Sequence, residues 1–499
     1  MSDDYFSAVT PESVGIPSAA IYKTLRYFEE LRLPLHSVIV ARRGKIAFEC
    51  YWAPFSRDRK HRMYSVSKSW VSLAVGLMSD EGKLSLDDAV VSYFPEYAPV
   101  KPHEFLTRAT IRDMLMMTDC HDTTTYGFGD KNWVKTWFET PPTHPAGTIF
   151  SYNTACTNIC CAIVEKIAGM PFVDYLYPRL LEPIGVSDGV KCIQAPEGYS
   201  FGGSGVLCAP ADLARIALLC LNGGRHNGRQ LVSEGYIKEA TSRQVDNTLT
   251  NGNFNMQQGY GYQFWRTRQN GFACIGMGSQ FAVCLPDYDM LVVATGDTQG
   301  IPAAEHIFME GIFYGLTPAV SAGVLPEDPE GLGELTGYVS SLALPIVPGI
   351  HTSPTAKKVS GKTYRFGDNA LNIRSARFDF APGEAAMTYE KPNGLHKLTF
   401  GIGKLIEQKF PETHYSGPRI GTPAGYGYET RAGAAWADET TLIAKASVTD
   451  DYLGSFNMNA TFKGDELTLL MTKDAEDFLH DYQGFAAGVA DGADTGTRV

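Results

Sequence analysis

The hydrophobic pattern of this chain changes after residue 317, and the change limits the folds that the chain can adopt. Before that point, apolar residues recur at helical spacing between short β-type runs. After residue 358, apolar and polar residues alternate, which is the period of a strand with one buried face. All ten cysteines lie between Cys50 and Cys284, so the last part has none. The chain is therefore predicted to form two separately folded parts, the first α+β and the second all-β.

In the first part, paired apolar runs predict two β-hairpins. Residues 38–41 and 46–51 flank a turn at residues 42–45, and residues 281–285 and 290–294 flank a turn that begins at Pro286. Most of the segment between the hairpins has helical spacing. We therefore expect a domain over residues 1–317 in which an antiparallel sheet is flanked by helices and joined to a helical subdomain.

The rest of the chain is predicted to contain a linker and a β domain. Residues 318–357 are rich in proline and glycine, which is typical of a linker or an extended crossover. In residues 358–499, the runs 456–462 and 467–471 alternate around a Lys-Gly-Asp turn, and residues 371–373 and 398–400 behave similarly. This pattern predicts antiparallel strands in a barrel or sandwich.

Ser65 and Lys68 form the motif that says most about chemistry. The Ser-x-x-Lys spacing places a hydroxyl and an amine one turn apart on the same face of a helix. Apolar residues continue at helical spacing from Val71 to Met78, so the pair is predicted in the first turn of a buried helix. A serine becomes a nucleophile when a neutral amine takes its proton. On spacing alone, an ordinary capped helix is the alternative, and Ser67 is predicted to be a cap.

Further motifs follow in the order found in a known family. The chain resembles the serine β-lactamase and penicillin-binding-protein superfamily, in its esterase and amidase branch, over residues 10 to 315. The segments that carry the resemblance are Ser-Val-Ser-Lys-Ser-Trp at 65–70, Ser-Asp-Glu-Gly-Lys-Leu at 79–84, Thr-Ile-Arg-Asp-Met-Leu at 110–115, Pro-Ala-Gly-Thr-Ile-Phe-Ser-Tyr-Asn-Thr at 145–154 and Gly-Gly-Ser-Gly at 202–205. The β domain at the C-terminus resembles the lipocalin-like domain that some members carry.

The third motif of the family separates its branches. Penicillin-recognising members have a basic residue on a strand, where this chain has Cys274, Ile275 and Gly276. In those members the basic residue helps to hold a substrate carboxylate, so its loss counts against β-lactams and peptide C-termini. The run at 276–280, Gly-Met-Gly-Ser-Gln, is similar instead to the nylon-oligomer (6-aminohexanoate-dimer) hydrolases and carboxylesterases of the same superfamily.

The resemblance implies a role for each site residue. Ser65 is the nucleophile that becomes acylated, Lys68 accepts its proton alone or together with Tyr152, and Tyr152 passes a proton to the leaving group. The backbone N–H groups of Ser65 and Met277 form the oxyanion hole. Whether Lys68 or Tyr152 is the base stays open, because spacing does not distinguish them. No cofactor and no metal site are expected.

The predicted function is a serine hydrolase that cleaves a small ester or amide through an acyl-enzyme on Ser65. A D-amino-acid peptidase, a β-lactamase-type activity and a non-catalytic binding or sensing protein on the same scaffold are the alternatives. Loops around Asp119 to Trp137, together with the second domain, are expected to build the pocket. The substrate-binding residues, the substrate itself and the role of the β domain are not predicted.

Composition and charge limit the classes of molecule that this protein is expected to bind. A net charge of −12 and a pI near 5.4 count against nucleic acid or an anionic membrane surface as partners. The cysteines lack a disulfide-framework spacing and the first residues lack a signal-peptide core, which together favour the cytoplasm. No apolar run approaches the length of a membrane span. The expected partner is a small ester or amide, and homo-oligomerisation is left open.

Overall fold

A computed structural model describes residues 6–127, 129–249, 254–412, 427–474 and 482–493. The chain separates into two compact units, Met1–Ala343 and Leu344–Val499. The boundary between them lies inside the segment predicted as a linker, residues 318–357. That segment also contains an α-helix, Pro329–Val339. The limits predicted for the two domains, 1–317 and 358–499, stay a prediction.

Eleven α-helices and eleven strands are found in the described residues of the first unit. The helices are α1 (Ser18–Glu30), α2 (Ser67–Asp80), α3 (Glu104–Arg108), α4 (Ile111–Leu115), α5 (Trp133–Glu139), α6 (Thr154–Ala168), α7 (Phe172–Leu176), α8 (Pro210–Leu221), α9 (Glu234–Thr241), α10 (Ala304–Glu310) and α11 (Pro329–Val339). The strands are β1 (Leu35–Arg42), β2 (Lys45–Tyr51), β3 (His61–Arg62), β4 (Lys191–Cys192), β5 (Val206–Cys208), β6 (Arg225–His226), β7 (Arg229–Gln230), β8 (Trp265–Arg266), β9 (Phe272–Gly276), β10 (Gln280–Leu285) and β11 (Met290–Gly296).

The main sheet of the first unit is antiparallel, with strand order β2-β1-β11-β10-β9-β8. Strands β1, β10 and β11 are buried at every residue, because apolar elements cover both faces of the sheet. Both predicted hairpins are confirmed, since β1 pairs with β2 and β10 pairs with β11. The sheet brings the N-terminal hairpin beside strands that come more than two hundred residues later in the sequence.

Two long helices, α2 and α6, form the centre of the helical part. Nearly every residue of each helix is buried, including Cys156, Cys160 and Cys161, as predicted for core cysteines. The α6 helix begins at a cap in which Asn153 Oδ1 accepts from the backbone N–H of Ala155 at 2.9 Å. It ends at Gly169, whose φ of 67° lies in the left-handed region that glycine adopts without strain.

The second unit is a β-barrel preceded by a short helix, α12 (Pro354–Val359). Its strands are β12 (Thr363–Phe366), β13 (Ser375–Ala381), β14 (Glu384–Lys391), β15 (Gly394–Ile402), β16 (Ile406–Lys409), β17 (Glu429–Trp436), β18 (Thr441–Val448), β19 (Ser455–Lys463), β20 (Glu466–Asp474) and β21 (Gly484–Ala490). Nine strands form a ring in the order β15-β14-β13-β12-β21-β20-β19-β18-β17, and a parallel pairing of β15 with β17 closes it. The tenth strand, β16, pairs with β17 outside this ring.

The predicted all-β character of this region is confirmed, with one error of detail. The runs 456–462 and 467–471 lie on the paired strands β19 and β20, and 398–400 lies on β15. Residues 371–373, however, form a turn and not a strand. Asn369 Oδ1 accepts from the backbone N–H groups of Leu371 and Ile373, and these local bonds replace the ladder of a strand.

In the ranges that the structure describes, no helix is both long enough and apolar enough to cross a membrane.

Candidate active site

Ser65 lies on a 3₁₀ turn, Tyr64–Val66, immediately before α2. Ser65 therefore lies two residues before the first residue of α2, and not in the first turn of the helix as predicted from the sequence. Tyr64 has a φ of 47°, an uncommon conformation for a bulky residue, and its ring is buried below the Arg62 guanidinium at 4.7 Å. Such backbone strain persists only where the surrounding packing holds it. The turn therefore presents Ser65 in one fixed orientation at the end of the helix.

Lys68 is buried and has no acidic partner in the described chain. Its residue is 1% exposed, and its Nζ donates to Ser65 Oγ at 3.0 Å and to the backbone oxygen of Gly203 at 2.6 Å. Burial lowers the pKa of Lys68 to about 7, because the charged ammonium is deprived of water. In its neutral form, the amine can accept the Ser65 proton over the same 3.0 Å.

The carbonyl of Gly203 reaches Lys68 because its backbone lies very close to α6. The N–H of Gly203 donates to Asn158 Oδ1 at 2.9 Å, and a Cβ at position 203 would lie 2.4 Å from a methyl group of Thr154. The neighbouring residue Ser67 makes a second contact with this region, since its Oγ accepts from the N–H of Val206 at 2.9 Å. The prediction that Ser67 caps the helix is therefore wrong, because its hydroxyl ties β5 to α2.

Tyr152 completes the group that the sequence predicted. It lines the same cavity as Ser65, and its ring centroid lies 5.1 Å from Lys68 Nζ. Desolvation raises the pKa of Tyr152, while the neighbouring Ser65 opposes this rise. The ring stacks on Trp265 with centroids 5.2 Å apart. The stacking fixes the ring beside Ser65, and the raised pKa keeps the hydroxyl protonated at neutral pH.

Met277 lies on the short connection between β9 and β10. A Cβ at Gly276 would lie 2.3 Å from the backbone oxygen of Met63, so the end of β9 packs directly on the segment that carries Ser65. The side chain of Gln280 donates to the backbone oxygens of Gly278 at 3.1 Å and Gly296 at 2.7 Å. These contacts bring the backbone at Met277 beside Ser65 and hold it there.

Ser65, Tyr152 and Met277 line one cavity of about 580 Å³. This volume is in the range of small-molecule sites. The other described lining residues are Phe150, Ser151, Met256, Trp265, Ile275, Gly276 and Glu305. The described lining is therefore mostly apolar and aromatic, with Ser65 at one wall.

The loop expected to build the pocket, between Asp119 and Trp137, contributes none of the described lining residues. Asp119 is buried instead, and its carboxylate accepts from Trp137 Nε1 at 3.0 Å and from Asn153 Nδ2 at 3.2 Å. His121 Nδ1 lies 3.3 Å from the same carboxylate. This network supports the start of α6 and, through it, the neighbouring Tyr152.

Sequence reasoning missed several residues of the site. Trp265 and Glu305 line the cavity, and Gln280 braces the Met277 connection, yet each is one of many similar residues in the chain. The Gly-Met-Gly-Ser-Gln run contains Gln280, but the resemblance assigns a role only to the backbone N–H of Met277 in that run. Within the described ranges, no cluster of three or more His, Cys, Asp or Glu residues is arranged to hold a metal ion.

Comparison with known proteins agrees with this geometry. The Beta-lactamase family matches residues 24–306, which is more than half of the chain. The chain is 26% identical to a 6-aminohexanoate-dimer hydrolase of Paenarthrobacter ureafaciens over 277 residues, covering 51% of this chain and 70% of the relative. It is 26% identical to the esterase EstB of Burkholderia gladioli over 228 residues, covering 39% of this chain and 57% of EstB.

A solved structure shares the fold of the first unit. It is titled "Putative 6-aminohexanoate-dimer hydrolase from Bacillus anthracis", and it aligns with 65% of this chain and 89% of its own at a TM-score of 0.53 and 18% identity. At that identity the likeness supports the fold alone. The family match and the named hydrolase relatives support the chemical class. The chain belongs to the β-lactamase family and is a serine hydrolase.

Proposed function

We propose that this protein hydrolyses small esters or amides through an acyl-enzyme on Ser65, with Lys68 and Tyr152 moving the protons. The observation that carries the proposal is the 3.0 Å contact between Ser65 Oγ and Nζ of a buried lysine whose pKa is about 7. A lysine with its ordinary pKa of about 10.4 would be protonated at neutral pH and unable to accept a proton. Burial of Lys68, without an acidic partner among the described residues, lowers its pKa enough for a neutral amine to be present at neutral pH.

In the first step, Ser65 Oγ attacks the carbonyl carbon of the substrate while its proton passes to neutral Lys68. The carbonyl oxygen becomes an oxyanion, which the backbone N–H groups of Ser65 and Met277 stabilise. Loss of one such donor typically lowers the rate by about a hundredfold or more. The tight contact of Gly276 with Met63 supports this role, because it holds the two N–H groups in one rigid frame.

In the second step, the bond to the leaving group breaks and Tyr152 donates its proton to the departing oxygen or nitrogen. The tyrosinate then recovers a proton from the Lys68 ammonium, so both residues return to their starting state. Water repeats the sequence on the acyl-enzyme and releases the acid. The position of Tyr152 in the same cavity wall as Ser65 supports this assignment, since a proton donor must lie close to the leaving group.

Esters and short amides are the substrate classes that we favour. The similar proteins named as a 6-aminohexanoate-dimer hydrolase and as an esterase support both classes. The described cavity lining has no Lys or Arg that could hold a substrate carboxylate. A D-amino-acid peptidase or β-lactamase-type activity is therefore a weaker proposal.

Intact-protein mass after brief exposure to a fluorophosphonate tests the nucleophile. We expect one adduct on the natural protein and none on Ser65→Ala, with turnover of p-nitrophenyl acetate and butyrate lost in parallel. Ser92→Ala, which removes an exposed serine, is the control and should keep both the adduct and the turnover. An adduct or turnover that persists in folded Ser65→Ala would overturn the proposal. Absence of both from the natural protein would favour a binding or sensing role.

The role of Tyr152 is tested with leaving groups of different basicity. In Tyr152→Phe the ring that stacks on Trp265 is kept and only the hydroxyl is lost. p-Nitrophenolate leaves as a stable anion, so its esters should lose less than about tenfold in kcat/KM. Ethyl esters or amides need a proton on the leaving group and should lose about a hundredfold or more. Equal losses for both classes would assign Tyr152 another role.

A further inference from the structure

Glu305, in the first turn of α10, is the charged side chain among the described residues that line the cavity beside Ser65. The cavity walls otherwise consist of apolar, aromatic and uncharged polar residues. Lys68 lies behind Ser65 and belongs to the proton-transfer group. The mechanism proposed above has no step for a carboxylate at the position of Glu305.

The Glu305 carboxylate is short of partners. Among the described residues it has no hydrogen bond and no ion pair, and desolvation raises the pKa of its carboxyl group. On the same helix, Glu310 is bound by Arg268 at 2.6 Å. A carboxylate that is partly removed from water without a partner is costly, so a ligand that supplies a positive charge would relieve a real penalty.

Aromatic rings surround the same space. Tyr152 stacks on Trp265 with centroids 5.2 Å apart, and Phe150 meets Trp265 edge to face at 6.1 Å. These mutual contacts hold the rings in place before any ligand arrives. The faces of aromatic rings attract ammonium groups, most strongly where water is excluded. A carboxylate beside fixed aromatic walls is a surface suited to an organic cation.

We propose that the cavity selects ester or amide substrates that carry a cationic amine, and that Glu305 together with the aromatic wall receives that amine. The inference rests on the proposed function, since it requires that Ser65 acts on a substrate in this cavity. A neutral chain would cover the carboxylate without compensation, whereas an ammonium compensates it. The net charge of −12 also attracts cations to the protein as a whole.

A structural role for Glu305 makes a different prediction. Acidic residues in the first turn of a helix are stabilised by the helix dipole, and Glu305 occupies such a position. In that case, removing the charge would alter thermal stability and leave the choice of substrate unchanged. The two roles are therefore separated by comparing substrates that differ only in charge.

The test uses two pairs of substrates of equal size at pH 7 and low salt. For the acyl side, p-nitrophenyl 6-aminohexanoate is compared with p-nitrophenyl heptanoate, in which a methyl replaces the ammonium. For the leaving-group side, acetylthiocholine is compared with S-(3,3-dimethylbutyl) thioacetate. The natural protein, Glu305→Gln and Glu334→Gln are assayed in parallel. Glu334 lies exposed on α11 and controls for the change in net charge.

We expect the natural protein to favour the cationic member of at least one pair by about tenfold in kcat/KM, the order expected of a hydrogen bond to a charged group. Glu305→Gln should lose this preference, mainly through slower hydrolysis of the cationic member, while Glu334→Gln keeps it. A preference that persists in Glu305→Gln, or that is absent from both pairs, would overturn the inference and leave the proposed function standing. Failure to hydrolyse any of the four esters would overturn both.

Discussion

Two buried lysines, one in each unit, show how differently the two parts of this chain treat a charge. Lys68 in the first unit is bound by a serine hydroxyl and a backbone carbonyl, both uncharged. Lys391 in the barrel is equally hidden from solvent, but its Nζ lies 3.3 Å from the Glu412 carboxylate and 4.0 Å from the ring centroid of Tyr482. Among the described residues, the buried lysine of the first unit thus has no counter-charge, whereas that of the second unit has one.

The comparison shows which surroundings lower the pKa of a buried lysine. Glu412 also accepts from Tyr389 at 3.0 Å and from Asn393 at 3.1 Å, so the barrel pair is surrounded by bonds that satisfy both charges. A carboxylate beside a buried ammonium offsets part of the cost of removing both charges from water. The absence of such a partner at Lys68, within the described ranges, leaves burial to act alone and lowers its pKa to about 7. Four predictions test the contrast.

The largest effect is expected on catalysis. Lys68→Met removes the proposed base and should lower kcat/KM for p-nitrophenyl butyrate by about a thousandfold or more. Lys391→Met makes the same chemical change in the barrel and should leave kcat/KM within about twofold. Steady-state kinetics on both variants, with folding checked by circular dichroism, measures the difference. Similar losses of kcat/KM in the two variants would contradict a specific role for Lys68 in catalysis.

The two variants should differ in the sign of their effect on stability. The folded pKa of Lys68 lies below its unfolded value, so the unfolded chain binds more protons between pH 7 and about 10.4, and folding there is disfavoured as pH falls. Lys68→Met should therefore raise the free energy of unfolding at pH 7, and the gain should shrink as pH approaches 10. Lys391→Met leaves Glu412 buried without its cation and should lower that free energy by about 3 kcal/mol. Calorimetry at pH 7 and 9.5 checks both signs.

Two glycines, one in each unit, provide a test of the proposed oxyanion hole. Gly276→Ala introduces a Cβ that would lie 2.3 Å from the backbone oxygen of Met63, so the connection that carries Met277 must move. We expect about a hundredfold loss in kcat/KM, the order seen when an oxyanion donor is lost. Gly488→Ala in β21 creates a comparable clash, 2.9 Å from the backbone oxygen of Arg365, and should affect only thermal stability. Full activity in folded Gly276→Ala would remove Met277 from the proposed site.

The smallest effect is a pH dependence. If neutral Lys68 is the base, kcat/KM should rise with pH through about 7, changing about tenfold per pH unit below that value. The raised pKa of Tyr152 predicts no falling limb below about pH 10, where an ordinary tyrosine would begin to ionise. Lys391→Met should leave the midpoint unchanged. A rate that is flat between pH 5.5 and 8.5 would exclude Lys68 as the group that must be deprotonated.

The features that were predictable from the sequence are those that depend on local geometry. The spacing of Ser65 and Lys68 places both groups together because a helical turn has a known period, and the structure brings them to 3.0 Å. The hairpins and the alternating strands of the barrel follow for the same reason. The roles of Tyr152 and Met277 required the family resemblance, since nothing local distinguishes either residue, and these roles remain proposals.

Other features depend on contacts between distant segments and were not predictable. Residues 371–373 have the alternation of a strand, yet the bonds from Asn369 impose a turn. The closing pair of the barrel, β15 with β17, depends on how the strands twist and shear as a set. Glu305 looks like any acidic residue in a first helical turn until the fold brings it to the wall of the cavity.

The sequence by itself determined the two-part organisation, the hairpins and the helical Ser-x-x-Lys pair, because each depends on side-chain period within one element. Tertiary structure decided the chemistry of that pair. Burial of Lys68 against the backbone at Gly203 lowers its pKa, and the contact of Gly276 with Met63 packs the connection that carries Met277 on the segment that carries Ser65. Desolvation and close backbone packing are properties of assembled segments, and no single segment of the sequence encodes them.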